Sequence, residues 1–195
     1  MPGLITSTVN FAAMVLREVV REGDVCVDAT AGGGNDTALL ARLAGPGGRV
    51  HAFDVQAEAI EMTRERLERE GLSGRVVLHK AGHQDMARIL PAECRGLVRA
   101  VTFNLGFLPH GDNRQKVTVP ETTIPALNAA LEFLSPGGVA TIVCYTGHPG
   151  GGEEALAVHA WCETLDISSF RALRYETVNK KGAAIRLYVV QVLDF

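Results

Sequence analysis

The stretch DATAGGGNDTALLARL, beginning at Asp28, joins an apolar run to three consecutive glycines and then to a helix-like pattern. Gly32, Gly33 and Gly34 allow a ligand to lie against the backbone and permit positive φ. The helix that follows offers unpaired N–H groups at its start. A second acid, Asp54, stands 20 residues after Gly34. A carboxylate at that distance accepts both hydroxyls of a ribose. Loop and acid together leave NAD and S-adenosylmethionine both open, and a glycine-rich turn that merely permits tight packing uses the same residues. Two details weigh against NAD. The third glycine of the dinucleotide fingerprint is absent, with Thr37 in its place. Asp36 enters the first helical turn, where it would repel a pyrophosphate and suit a ligand with cationic groups. No Gly-Lys-Ser/Thr follows, so a nucleotide P-loop is excluded.

The flanking pattern supplies the elements that must hold these residues. Thr8 to Val20 reads as an amphipathic helix, with Phe11, Val15 and Val19 on one face and Asn10 as its cap. VCVDATA is a strand that delivers Asp28, and Asn35 to Leu43 is the helix after the loop. RVHAFDV is a strand ending near Asp54, followed by a charged helix from Glu58 to Glu70. RVVLHKA, VRAVTFNL and VATIVCYT read as the third, fourth and fifth strands. A short helix spans Asp85 to Leu90, and a longer one carries Ile124, Leu127, Leu131 and Leu134. A further helix carries Val158, Trp161, Cys162 and Leu165. The last two β segments, FRALRYETV and AIRLYVVQVL, have only NKKGA between them, so they pair antiparallel. Alternating strands and helices imply parallel βαβ units. The expected class is α/β: a seven-stranded, mostly parallel sheet with an antiparallel last strand and helices on both faces.

With 195 residues, a single domain over 1–195 is expected, large enough to bury a core. No apolar run reaches the ~20 residues of a membrane span, and the N-terminus lacks the form of a signal peptide. The four cysteines are scattered without a C-x-x-C pair, so no zinc site is expected. Cys26 and Cys144 lie in strand-like runs and read as core thiols, which fits a reducing, cytoplasmic setting. A net charge of −3 implies no whole-surface attraction to nucleic acid.

By analogy, five βα units with a terminal antiparallel strand are the arrangement of a Rossmann-like class I methyltransferase, and LSPGG before a fifth strand is frequent in such enzymes. DATAGGGNDT, AFDVQ, FNLGFLPHGD, PETTIPAL and YTGHPGGGEE, in this order, resemble the small bacterial YtqB/MnmM-type methyltransferases. That family is also labelled as rRNA methylases and is associated with methylating the 5-aminomethyl group of wobble 2-thiouridine in tRNA. The resemblance covers almost the whole chain. It implies S-adenosylmethionine as cofactor, held by Asp28, Thr30, Gly32, Gly34, Asn35, Asp36, Thr37, Asp54, Gln56, His83 and Asn104. Departures from the family pattern are Gly33, where members usually have Asn, the pair Gly82-His83, the triplet His110-Gly111-Asp112, and Thr146.

Transfer to an amine needs a nitrogen lone pair in line with the methyl carbon, so the ammonium must first lose a proton. By analogy with amino-methylating enzymes, Asn104 after the fourth strand positions the acceptor, with the backbone carbonyls of Leu105 and Gly106 beside it. A strand-end Asn that caps the next turn is the plainer alternative. Phe107 would border the methyl group or the uracil ring. His148 is the candidate base, with His110 and Asp112 in the neighbouring loop. The catalytic set is therefore Asn104, His148 and Asp112. Tyr145 is expected to pack or to bind substrate, and His79 to sit on a strand surface. Phosphate contacts for tRNA would come from Arg171, Arg174, Lys180, Lys181 and Arg186 in the terminal β pair, and from Arg114 and Lys116. Solvated surface charge explains any one of these equally well. The partners expected are tRNA as substrate and a second copy of the chain, with no metal and no membrane. An rRNA, a small amine, or a non-catalytic or nucleotide-dependent role are the alternatives.

Overall fold

The computed structural model describes residues 6–106, 117–179 and 185–194. Seven strands form one sheet: β1 (Val25–Asp28), β2 (Arg49–Asp54), β3 (Val76–Lys80), β4 (Val98–Leu105), β5 (Leu134–Tyr145), β6 (Phe170–Glu176) and β7 (Ile185–Val192). Their order is β3-β2-β1-β4-β5-β7-β6. Strands β1 to β5 run parallel, and β7 is antiparallel to both β5 and β6. This is the expected architecture. The last strand of the chain is inserted between β5 and β6 and so inherits two neighbours, leaving β6 at the edge.

Among the described residues six α-helices cover the sheet: α1 (Thr8–Val19), α2 (Asn35–Leu43), α3 (Ala57–Arg69), α4 (Met86–Ile89), α5 (Pro120–Phe133) and α6 (Gly151–Glu163). Side chains alternate along each strand, so each face buries its own set. Cys26, Val50, Ala100 and Val139 meet Leu16 of α1, Leu39 and Leu40 of α2, and Leu67 of α3. Val27, Val101, Phe103 and Ile142 meet Met86 of α4, Leu127 and Phe133 of α5, and Val158 and Trp161 of α6. Leu39, Leu40, Ile60, Leu67 and Leu127 are buried, and Leu43, Ile124 and Leu131 are partly buried against the core.

Several expectations need correction. Ser7, not Asn10, caps α1: its Oγ accepts the N–H of Asn10 at 3.3 Å. A cap must precede the helix, and Asn10 lies two residues inside it. Leu134 begins β5 rather than closing α5, because its backbone is extended and it pairs with Val98. Leu165 lies beyond the end of α6 yet still packs on the core. The core-thiol reading holds: Cys26 and Cys144 are buried and free, and burial raises the Cys26 thiol to about 12. Among the described residues no cluster of His, Cys, Asp and Glu has metal-binding form, and no helix is long and apolar enough to cross a membrane.

Candidate active site

At the carboxyl ends of β1, β2 and β4 lies a cavity of about 680 Å³. Open parallel sheets place their ligands there. The loop after β1 forms one wall. Gly32 and Gly34 adopt positive φ, +53° and +76°. A Cβ on Gly34 would stand 3.1 Å from Thr63 Cα, so glycine is required where the loop crosses α3.

Three layers of hydrogen bonds hold this loop. Beneath it, Asp28 is fully buried and accepts the N–H of Thr30 (3.1 Å) and the hydroxyl of Thr37 (2.6 Å). Burial, and then the nearby charge of Asp36, raise the Asp28 carboxyl to about 7. Beside it, Asp54 Oδ2 accepts the N–H of Gly32 (3.0 Å) and Oδ1 accepts that of Gln56 (2.8 Å). Above it, α3 reaches across: Thr63 Oγ1 donates to Gly32 O (3.0 Å) and Arg66 Nε to Gly33 O (2.7 Å). Thr63 shares the buried face of α3 with Ile60 and Leu67. A buried hydroxyl on such a face must find an acceptor, and that was the available signal.

The expected cofactor residues divide into two groups. Thr30, Gly32, Asn35, Asp36, Asp54, Gln56, His83 and Asn104 line the cavity. Asp28, Gly34 and Thr37 do not; they build the loop from behind. His83 is buried in the wall, and burial lowers its imidazole to about 4 against a backbone hydrogen bond at Ala29. It is therefore neutral at pH 7, and among the described residues its Nε2 has no hydrogen-bond partner.

Asn104 links the two halves of the cavity. Its backbone N–H donates to Thr30 Oγ1 (2.7 Å), and its side-chain Nδ2 donates to Asp36 Oδ2 (2.7 Å). The far wall is made by Val9 of α1, by Val117, Thr118 and Val119, by Thr122 of α5, and by Tyr145 at the end of β5. Sequence reasoning missed α1 as a wall element. It also missed the buried Glu154, whose carboxylate accepts the hydroxyls of Thr118 (2.7 Å) and Thr123 (2.6 Å) and pins this wall to α6.

The expected catalytic set is partly assembled. Asn104 is in the wall. His148 stands one layer behind it: its ring borders Gly106 and Gly151, and its Nδ1 lies 2.9 Å from Pro149 O. Asp112 lies outside the described residues, as do Phe107, His110, Arg114, Lys116, Lys180 and Lys181. His79 is on the sheet as expected, stacked on Phe53 and 3.0 Å from His51 Nδ1. Arg171 and Arg174 are exposed on β6, and Arg186 lies 3.1 Å from Glu176, the last residue of β6.

Residues 50–191 match the protein family described as "Putative rRNA methylase". The chain is 38% identical to a chloroplastic tRNA (mnm5s2U34)-methyltransferase of Arabidopsis thaliana over 186 residues, which is 91% of this chain and 67% of that protein. A crystal structure of a "putative rRNA-methylase" from Clostridium thermocellum superposes with a TM-score of 0.93 at 39% identity, covering 98% of this chain and 100% of that one. A "putative methyltransferase" from Streptococcus mutans in complex with SAH gives 0.87 at 33% identity, covering 97% and 100%.

Proposed function

This chain belongs to the "Putative rRNA methylase" family and is a methyltransferase, and we propose that it moves a methyl group from S-adenosylmethionine to the 5-aminomethyl group of wobble 2-thiouridine in tRNA. The observation that carries this reading is the charge of the cavity wall. It holds two carboxylates, Asp36 and Asp54, and no lysine or arginine among the described residues. Such a wall favours a cationic donor and an amine acceptor and disfavours phosphates. The chloroplastic relative's name supports the same acceptor.

The site fits the cofactor. Asp54 and Gln56 would hold the ribose, with the exposed Val55 beside them. The glycine loop and the start of α2 would hold the amino-acid end. When bound, S-adenosylmethionine supplies an electrophilic methyl group with a built-in leaving group. The protein's own task is to present the acceptor. Asn104 accepts an N–H from the amine through its amide oxygen and so directs the nitrogen lone pair. His148 is the proposed taker of the ammonium proton, with its Nδ1–H donating to Pro149 O and its ring behind the wall beside Gly106. His83 is too weakly basic for this step. A wobble base is single-stranded and enters such a pocket at modest unstacking cost.

The test is nucleoside mass spectrometry of tRNA bearing 5-aminomethyl-2-thiouridine after incubation with the protein and cofactor. Gain of one methyl on that nucleoside is expected. Methylation of purified rRNA with unchanged tRNA would replace this acceptor by the one the family's description names.

A further inference from the structure

Resting on that reading, we infer that Asp36 is a positioning residue that turns the Asn104 amide into a hydrogen-bond acceptor and thereby selects acceptor groups that carry a proton. A carboxylate oxygen can only accept, and Asp36 Oδ2 lies 2.7 Å from Asn104 Nδ2. Turning the amide over would set Oδ1 against Oδ2, two acceptors at hydrogen-bond distance with no proton between them. The orientation is therefore dictated by Asp36, and Oδ1 is the group left for a ligand.

The backbone on either side is pinned as well. The N–H of Asn104 donates to Thr30 Oγ1 at 2.7 Å, and the N–H of Thr30 donates to the buried Asp28 at 3.1 Å. Asp36 is itself set by the first turn of α2. The glycine loop and the acceptor-orienting residue thus form one hydrogen-bonded circuit across β1, β4 and α2. Both Asp36 and Asn104 line the cavity. An amine offers an N–H to Oδ1 and keeps a lone pair for the methyl group. A carboxylate or phenolate offers nothing to Oδ1 and meets the charge of Asp36. The circuit therefore favours N-methylation and rejects oxyanions.

The test exchanges donor and acceptor. N104D sets two carboxylates against each other and should lower kcat about 100-fold or more. D36N frees the amide to turn and should lower kcat about tenfold. The double variant D36N/N104D again pairs one amide with one carboxylate and should run at least about tenfold faster than N104D, a coupling that independent sites do not show. A second readout needs no acceptor. In protein labelled with 15N-asparagine, the Asn104 side-chain NH2 pair, assigned by its loss in N104D, should show slow exchange with water that D36A abolishes. A double variant no faster than N104D, or Asn104 amide signals indifferent to D36A, would overturn the inference. Absence of methyl transfer to tRNA by the unmodified protein would instead strike the acceptor reading, with the amide signals still deciding the role of Asp36.

Discussion

Asp54 is committed twice, since both of its oxygens already accept backbone N–H groups, from Gly32 and Gln56. A carboxylate has lone pairs to spare for ribose hydroxyls. Asp54→Ala should therefore weaken cofactor binding by about 2–4 kcal/mol, which calorimetric titration would measure; near-unchanged affinity would mean that the ribose lies elsewhere. His148→Gln tests the proton acceptor. Turnover should fall about 10²-fold or more at neutral pH and recover as pH rises toward the amine's own pKa, because solvent then supplies the free base. A rate equal to that of the unmodified protein at pH 7 would remove His148 from the chemistry. At this scale the sequence spoke clearly where function depends on spacing along one loop. Gly32, Asp36 and Asp54 stand where the pattern put them. It was silent where function depends on depth. Asp28 and Thr37 occur in the same motif but face the core, and only tertiary packing separates a wall residue from the one behind it.

Strands β2 and β3 carry a pair that no local pattern announces. His51 Nδ1 and His79 Nε2 lie 3.0 Å apart across the sheet. Burial, with His79 adding to it, lowers His51 to about 4, and burial lowers His83 to about 4 and His79 in the same direction. His51 and His83 each bind fewer protons folded than unfolded between pH 4 and the ordinary 6.5, and His79 acts in the same direction. Their stabilisation is complete above the unfolded value and is lost as pH falls through that window. Asp28 acts in the opposite sense. Raised from 3.8 to about 7, it binds more protons folded and loses stability as pH rises toward 7. Several histidines outweigh one aspartate below pH 6.5, and above it the last of the histidine titration and that of Asp28 nearly cancel. Stability should therefore fall by about 1 kcal/mol on going from pH 6.5 to 5.5 and change little between pH 6.5 and 8. Urea unfolding at those three values measures this, and D28N should steepen the rise from pH 5.5 to 6.5 and turn the level stretch above it into a continued rise. A monotonic rise from pH 5.5 to 8 would show that Asp28 is ionised throughout. Most elements were legible to within a residue or two, because apolar periodicity survives in helices and strands that bury a face, but β5 begins five residues before the stretch read as strand and β1 ends three residues earlier than its own. Ends were less so. Leu134 continues the apolar period of α5, and only its pairing with Val98 makes it strand.

For the whole molecule the proposed function raises the question of how a chain of net charge −3 would hold a polyanion. Long-range attraction is absent, so binding must come from local charge. The sheet's outer edge is the described surface that fits. Glu176 and Arg186 pair at the end of β6 and β7 that adjoins Tyr145, a wall residue of the cavity, while Arg171 and Arg174 lie further along β6. Glu176 is 3.6 Å from Arg174 and 3.1 Å from Arg186, so one acid is shared by two of the three arginines. Little positive charge remains, which predicts few phosphate contacts and a shallow salt dependence. On the proposed function, R171E/R174E should weaken tRNA binding at low salt and make the slope of log Kd against log salt shallower by about 1–2, while cofactor affinity stays unchanged. Arg186 is left in place because its loss would strand Glu176. Filter binding between about 50 and 200 mM salt reads both numbers. A slope identical to that of the unmodified protein would move the RNA track off this edge. Anticodon capture would then depend on contacts at the cavity mouth, where Val9 and Val119 present apolar surface and no fixed positive charge stands among the described wall residues.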